Sequence, residues 1–281
     1  MTTTPDETRA DVARAYGERV MQSEPAGCCG AAPPRKGGVV DLAGYTEEQL
    51  ADLPADAVVN SFGCGNPVAL AGLRPGDTVV DLGSGAGIDL LLAAKIVGPQ
   101  GKVIGVDMTD EMIVKAEANI AAAGLENVEV RKGIMEALPV EDASVDWVVS
   151  NCVINLSPEK DKVFAEIARV LRPGGQMLVS DMVAQDLPPE LLAIPAARSL
   201  CISGAVTEEE FLDGLRVAGL TGVEVRDRLV YDASQIAGYA GTVLGDSCCG
   251  GEKNVTDMVR EHAKSLEGKV WSAKVYARRP E

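Results

Sequence analysis

Thr78-Val-Val-Asp-Leu-Gly-Ser-Gly-Ala-Gly-Ile-Asp89 is a short β-branched run that breaks into three glycines spaced two apart and then into a segment of helical character. A valine-rich run of this length, closed by glycine, predicts a strand over Thr78–Leu82. Gly83, Gly85 and Gly87, with Ser84 among them, let the backbone approach a ligand closely and put a helix N-terminus beneath it. Asp81 lies two residues ahead of Gly83. A carboxylate there suits a cationic amino-acid tail and repels a pyrophosphate. The spacing is GxGxG, not the GxGxxG of dinucleotide sites. Asp107 closes the next apolar run, 20 residues after Gly87, where a carboxylate can bind ribose hydroxyls.

Outward from this segment, strands and helices alternate. Strands are expected at Lys102–Val106, Val128–Arg131, Val145–Ser150 and Gln176–Ser180, and helices at Gly87–Val97, Asp110–Ala123 and Asp161–Leu171. Nearly all-apolar strands in such alternation predict an α/β fold, a Rossmann-like and mostly parallel sheet covered on both faces. Residues 66–205 form this expected domain, opened by a helix start at Asn66–Pro67 and ending beyond a predicted helix at Pro188–Ser203. Residues 1–65 read as a helical and loop extension: a helix over 6–22, a Pro/Gly/Ala-rich loop over 23–38, a short helix at Tyr45–Leu53 and a turn-rich approach at Val58–Gly65. Residues 206–281 read as an α+β region that completes the sheet and covers the acceptor side. Thr207 and Glu210 make a capping box there, Val223–Leu229 and Trp271–Ala277 alternate as strands, and helix-prone sequence between them is interrupted at Gly245–Gly251.

The chain has 281 residues, with 42 acidic against 26 basic side chains and a formal charge of −16. Such a surface repels phosphates, so nucleic acid and anionic membranes are not expected partners. The sequence holds no long apolar run, and Met1–Gln22 lacks the apolar core of a signal peptide, so a cytoplasmic protein is expected. Seven cysteines in 281 residues are too sparse for a disulfide scaffold, and reduced thiols are predicted.

Three of those cysteines fall at informative positions. The fourth strand runs into Asn151–Cys152, and in open α/β sheets ligands sit beyond the carboxyl ends of strands. Cys64 lies in Ser61-Phe-Gly-Cys-Gly-Asn-Pro67, and Cys201 precedes Ser203–Gly204. Any one alone reads equally as a small buried hydrophobe. Zinc has no Cys-x(2–4)-Cys pair to bind and no histidine partner beside the single His262. Three soft sulfur ligands fit pyramidal trivalent arsenic, whose lone pair is a nucleophile that needs no general base.

The glycine loop and Leu171-Arg-Pro-Gly-Gly175 resemble the class I S-adenosylmethionine-dependent methyltransferases. More narrowly, Phe62-Gly-Cys-Gly-Asn-Pro67, Asp81–Asp89, Val106-Asp-Met-Thr-Asp110, Ser150-Asn-Cys-Val-Ile-Asn-Leu-Ser157 and Cys201-Ile-Ser-Gly-Ala205 resemble the arsenite methyltransferases, a likeness covering roughly residues 40–281. Amino-methylating relatives often carry Asn/Asp-Pro-Pro-aromatic where this chain has Asn151–Pro158, so a nitrogen acceptor is disfavoured. The resemblance implies S-adenosylmethionine held by Asp81, Gly83, Ser84, Gly85, Gly87, Asp107, Met108, Gly133, Ile134, Met135 and Asn151, with Gly133–Met135 flanking the adenine. It implies arsenite held by Cys64, Cys152 and Cys201, with no metal cofactor. It also implies a disulfide relay through an N-terminal cysteine, Cys28 or Cys29, restored by thioredoxin or glutathione. Cys248–Cys249 is a further pair that could capture arsenite, act as a redox couple or lie in an exposed loop. Two other readings stand beside this one: a carbon methyltransferase acting on a quinone or sterol ring, and an arsenite-binding protein without turnover.

Overall fold

The computed structural model describes residues 4–21, 40, 43–187, 204–244 and 255–281. The chain opens with helix α1 (Pro5–Met21) and three single-turn helices, α2 (Glu47–Leu50), α3 (Ala55–Val59) and α4 (Val68–Ala71). The α/β alternation follows as β1 (Thr78–Leu82), α5 (Ile88–Val97), β2 (Lys102–Asp107), α6 (Asp110–Ala122), β3 (Val128–Lys132), β4 (Val145–Asn151), α7 (Lys160–Val170) and β5 (Leu171–Ala184). The last elements are α8 (Glu208–Val217), β6 (Thr221–Val230), α9 (Ala233–Leu244), α10 (Val255–Leu266) and β7 (Val270–Arg278). Among the described residues no helix is long and apolar enough to cross a membrane.

All seven strands join one sheet in the order β3-β2-β1-β4-β5-β7-β6. The pairings from β3 to β5 are parallel, while β7 runs antiparallel to both β5 and β6. From β1 the chain winds outward through β2 to β3, then returns to lay β4 on the other side of β1. That reversal opens a crevice beyond the carboxyl ends of β1 and β4, the place where α/β sheets bind ligands. Side chains alternate across the sheet: Val79, Trp147 and Val149 pack with Leu90 and Leu91 on one face, and Val80, Val148 and Val179 pack with Ile167 and Phe211 on the other. Burial on both faces is why these strands read as continuous apolar runs. A third apolar cluster sits off the carboxyl edge and contains Cys64, Cys152, Met182, Tyr231 and Tyr239.

The structure departs from the expected elements in three places. β5 does not wait for the end of the Pro173–Gly175 turn to begin at Gln176: Leu171 already pairs with Val145, and β7 holds the chain extended past Ser180 as far as Ala184. The approach over Val58–Gly65 begins inside α3, a five-residue helix that buries only Ala57 and so leaves no periodicity to read. The helix expected from Asn66 starts at Val68, although the Asn66 side chain still accepts from the Ala69 N–H at 3.2 Å. The capping box expected at Thr207 and Glu210 forms as a reciprocal pair, and Thr46 with Gln49 makes another at the start of α2. The loop expected over 23–38, the helix over Pro188–Ser203, the break at Gly245–Gly251 and Cys28, Cys29, Cys201, Cys248 and Cys249 lie outside the described residues.

Candidate active site

The crevice holds a cavity of ≈ 960 Å³, its mouth included, lined by residues from β1, β2, β4, the loop after β3 and α1. Asp81, Gly83, Ser84, Gly87, Asp107, Met108, Gly133, Ile134, Met135 and Asn151 all line it. Gly85 stands behind the wall, where its N–H donates to Asp107 Oδ2 at 2.9 Å while the Thr109 N–H donates to Oδ1 at 2.9 Å. The loop thus fixes the Asp107 carboxylate. Gly83 takes φ +64°, and a Cβ there would come within 2.7 Å of the Val153 side chain, so glycine both frees the turn and keeps the cradle open. The Gly83 and Ser84 N–H groups anchor the loop to Val106 O at 2.8 and 3.2 Å. The Ser84 hydroxyl is buried with no partner.

Among the described residues four carboxyl groups line this cavity: Asp81, Asp89, Asp107 and Glu136, the last of them paired with Arg9. Burial raises Asp81 well above its ordinary range, with Asp89 and Asp107 adding repulsion. Burial also pushes Asp89 up to about 6, against hydrogen bonds from Asn151 and Tyr45 that favour its ionised form. Asp107 is raised by burial and held down by its backbone donors. Among the described residues the one guanidinium on the cavity wall, Arg9, is committed to Asp6, Glu136 and Glu159 at 2.7–3.1 Å. A wall of buried carboxyl groups with an orphaned hydroxyl fits a cationic ligand carrying hydroxyls, as S-adenosylmethionine is, because a nearby cation favours the ionised carboxylates that burial alone disfavours. Helix α1 covers this end through Arg9, Val12 and Tyr16, with Tyr16 edge-on to Phe62 at 5.9 Å.

Beside the cavity lies a thiol corner. β4 ends at Asn151, and Cys152 turns into the left-handed region at φ +64°. This conformation costs a residue with a Cβ on the order of 1 kcal/mol, and the Cys152 N–H to Ser180 O bond at 2.8 Å holds it. Sγ of Cys152, Sγ of Cys64 and a carboxyl oxygen of Asp181 lie within 4.8 Å of one another, and all three residues are buried. The Ser272 hydroxyl donates to Cys64 Sγ at 3.6 Å, and Tyr239 Oη is 3.9 Å from Cys152 Sγ. Burial pushes the Cys64 thiol well up, the neighbouring Cys152 adds to the rise, and Ser272 opposes it. Asp181 is likewise raised by burial and by Cys152, although it accepts from Met182 N–H at 2.8 Å and from Asn155 through Nδ2 and N–H at 2.9 and 3.2 Å.

Asn151 joins the two halves. It lines the cavity, yet its amide is engaged elsewhere: the two N–H groups of Nδ2 are shared among Gly65 O at 2.6 Å, Tyr45 Oη at 2.9 Å and Asp89 Oδ2 at 3.0 Å, while Oδ1 accepts from Gly65 N–H at 3.1 Å. The amide brackets the turn that carries Cys64. A Cβ on Gly63 would overlap it, and one on Gly65 would come within 2.7 Å of Ser180. Tyr231 fastens the same turn from outside, donating to Cys64 O at 2.8 Å. Sequence reasoning missed Asp89, Asp181, Tyr45, Tyr231, Tyr239 and Ser272. A signal existed for the first two: Asp89 sits in the first turn after the glycine loop, and Asp181 follows the expected end of the fifth strand.

The glycine loop, the acid at the end of β2 and the crevice between β1 and β4 define a methyltransferase domain, and a family model of that description matches residues 73–219. The arsenite methyltransferase of Halobacterium salinarum is 47% identical over 200 residues, covering 71% of this chain and 50% of that protein. The arsenite methyltransferase of Aquipseudomonas alcaligenes is 35% identical over 217 residues, covering 73% and 60%. A crystal structure of an arsenic(III) S-adenosylmethionine methyltransferase from Chlamydomonas reinhardtii superposes with a TM-score of 0.64 at 31% identity, over 89% of this chain and 75% of that one. The chain belongs to the arsenite S-adenosylmethionine methyltransferase family. It spans about half of the first of these curated relatives and three-fifths of the second.

Proposed function

We propose that the protein methylates trivalent arsenic held by Cys64, Cys152 and Cys201, with S-adenosylmethionine as donor. One observation carries this reading: the Cys64 and Cys152 sulfurs lie within 4.8 Å of each other at the end of β4, and Cys152 also lines the donor cavity. The donor supplies an electrophilic methyl group. Asp81 and Asp89 offer carboxylates to its cationic amino-acid end, Asp107 accepts from ribose hydroxyls, and Gly133, Ile134 and Met135 flank the base.

Cys64 is a protonated thiol by its burial, and arsenite is a neutral hydroxide. Each As–S bond therefore forms as the thiol proton leaves with hydroxide as one water, and no base is consumed. The arsenic lone pair then takes the methyl. The product is oxidised by two electrons, which a thiol pair including Cys28 or Cys29 returns by closing a disulfide; thioredoxin or glutathione reopens it. Cys201 is the third sulfur. The chain after it enters the described structure at Gly204, where a Cβ would overlap the Asn155 carbonyl oxygen. Three residues of chain reach at most about 11 Å, and Asn155 hydrogen-bonds Asp181 of the thiol corner. Reduced thiols of this kind suit the cytoplasm.

The test is product speciation with reduced protein, sodium arsenite, methyl-labelled S-adenosylmethionine and thiol. Labelled methylarsenicals are expected. Arsenite bound with the donor intact would replace catalysis by sequestration, and neither binding nor product would return the chain to ring methylation.

A further inference from the structure

We propose that Cys64, Cys152 and Asp181 also form a binding site for a thiophilic divalent cation, with zinc as its probe, and that Asp181 is the ligand separating this cation from arsenic. The site uses the thiols of the proposed arsenic pocket, but its existence does not depend on methylation there.

Zinc takes both Cys sulfur and Asp oxygen as ligands, and three protein donors leave it an open fourth position. With Zn–S of about 2.3 Å and Zn–O of about 2.0 Å, tetrahedral zinc spaces its donors about 3.5–3.8 Å apart. The three atoms here lie within 4.8 Å of one another, so closure asks for shifts of about 1 Å. The groups behind the donors are also in place. Asp181 Oδ1 accepts from Asn155 Nδ2 and Met182 N–H, while Oδ2 accepts from Asn155 N–H. These donors orient the carboxyl, and each carboxylate oxygen has two lone-pair directions, so Oδ2 can accept from Asn155 and still face an ion. Ser272 donates to Cys64 Sγ. Such outer hydrogen bonds orient first ligands and typically carry 10–100-fold in affinity. As the cation binds, each thiol bonds it through sulfur and gives its proton to solvent. Water takes zinc's fourth position.

Asp181 has no use as a ligand to trivalent arsenic, a soft centre that takes sulfur over carboxylate oxygen. Zinc accepts both. The carboxyl thus makes the corner a better zinc site than two thiols alone, and zinc bound there occupies the sulfurs that arsenic needs.

The test titrates the reduced, metal-stripped full-length chain with zinc against a chromophoric chelator, then repeats the titration with arsenite present. One zinc per chain, displaced by stoichiometric arsenite, is expected. D181N should weaken zinc by about tenfold or more while changing arsenite affinity by less than about threefold. C152S should abolish both, with thermal midpoint and S-adenosylhomocysteine binding confirming that each variant folds. Zinc that fails to bind, that ignores arsenite, or that binds D181N as tightly as the parent overturns the proposal. So does zinc lost only when Cys28, Cys29, Cys248 and Cys249 become serine. The two readings fail separately: zinc bound through Asp181 without methylated arsenic refutes the methyltransferase reading alone, and methylation without zinc binding refutes this one alone.

Discussion

The donor cavity and the thiol corner share a wall at Asn151 and Cys152 but are assembled differently. Most of the cavity comes from one continuous stretch, β1 through the loop after β4, and its ligand-facing groups are backbone turns and carboxylates open to a crevice. The thiol corner is brought together from the Gly63–Gly65 turn, the ends of β4 and β5, β7 and α9, and its groups are closed off from solvent. A ligand cavity can be built by local geometry. A set of convergent sulfurs needs tertiary structure to bring distant residues together and hydrogen bonds to hold them.

That contrast predicts that each half can be broken alone. Cys152→Ser should reduce arsenic methylation by more than about a hundredfold, beyond the 10–100-fold of outer-shell changes, with S-adenosylhomocysteine affinity unchanged in calorimetry. Cys201→Ser should behave the same way, and Cys64→Ser should spare a later methylation step. An equal loss of donor affinity in Cys152→Ser would mean that the two halves are one site.

A smaller break lies at the bracket. Asn151→Ala leaves the Gly65 N–H and C=O without their partner at a cost of about 1–3 kcal/mol. The expected outcome is a rise of roughly tenfold in the arsenite concentration needed for half-saturation, with the donor curve nearly unmoved. Equal weakening for the donor would mean that Asn151 also binds the donor directly. On the other side, Asp107→Ala orphans the Gly85 and Thr109 N–H groups. It should weaken S-adenosylhomocysteine binding by about tenfold (~1.4 kcal/mol) while arsenite titrations stay unchanged.

The mildest test is pH. The pKa of Asp89, about 6 in the fold, lies above its ordinary 3.8. Folding thus favours its protonated form, and the stability this group contributes is full below about pH 4 and is lost as pH rises through about 6. A cationic ligand prefers the ionised form, so donor affinity should rise by up to about tenfold between about pH 5 and 7. Asp89→Asn should flatten that rise, whereas a rise that persists in Asp89→Asn would assign the titration to another group.

The same division governs what the sequence reveals. Gly83, Gly85, Gly87 and Asp107 announce themselves because their backbone demands and spacing are local, and the strands buried on both faces read directly as apolar runs. Cys152 could be assigned to a strand end by topology alone. Its neighbours could not: Ser272 and Cys64 are far apart in the chain, and only the antiparallel insertion of β7 beside β5 brings them to 3.6 Å. Tyr45 and Tyr231 carry no pattern, since each acts through a single hydroxyl at the end of a long reach. The engagement of the Asn151 amide appears only when its hydrogen bonds are counted.

The position of β7 has a consequence for how the molecule comes into being. β1, β2 and β4, which frame the cavity, pair among themselves and emerge early from the ribosome, so a pocket for the donor can take shape on a partial chain. Ser272 is synthesised some ninety residues after the end of β5, and non-local pairings of this kind form late. Until then the Cys64 sulfur lacks its hydroxyl partner and the edge of β5 is uncovered. A nascent chain therefore exposes the Cys64 sulfur during synthesis, before β7 has closed over it.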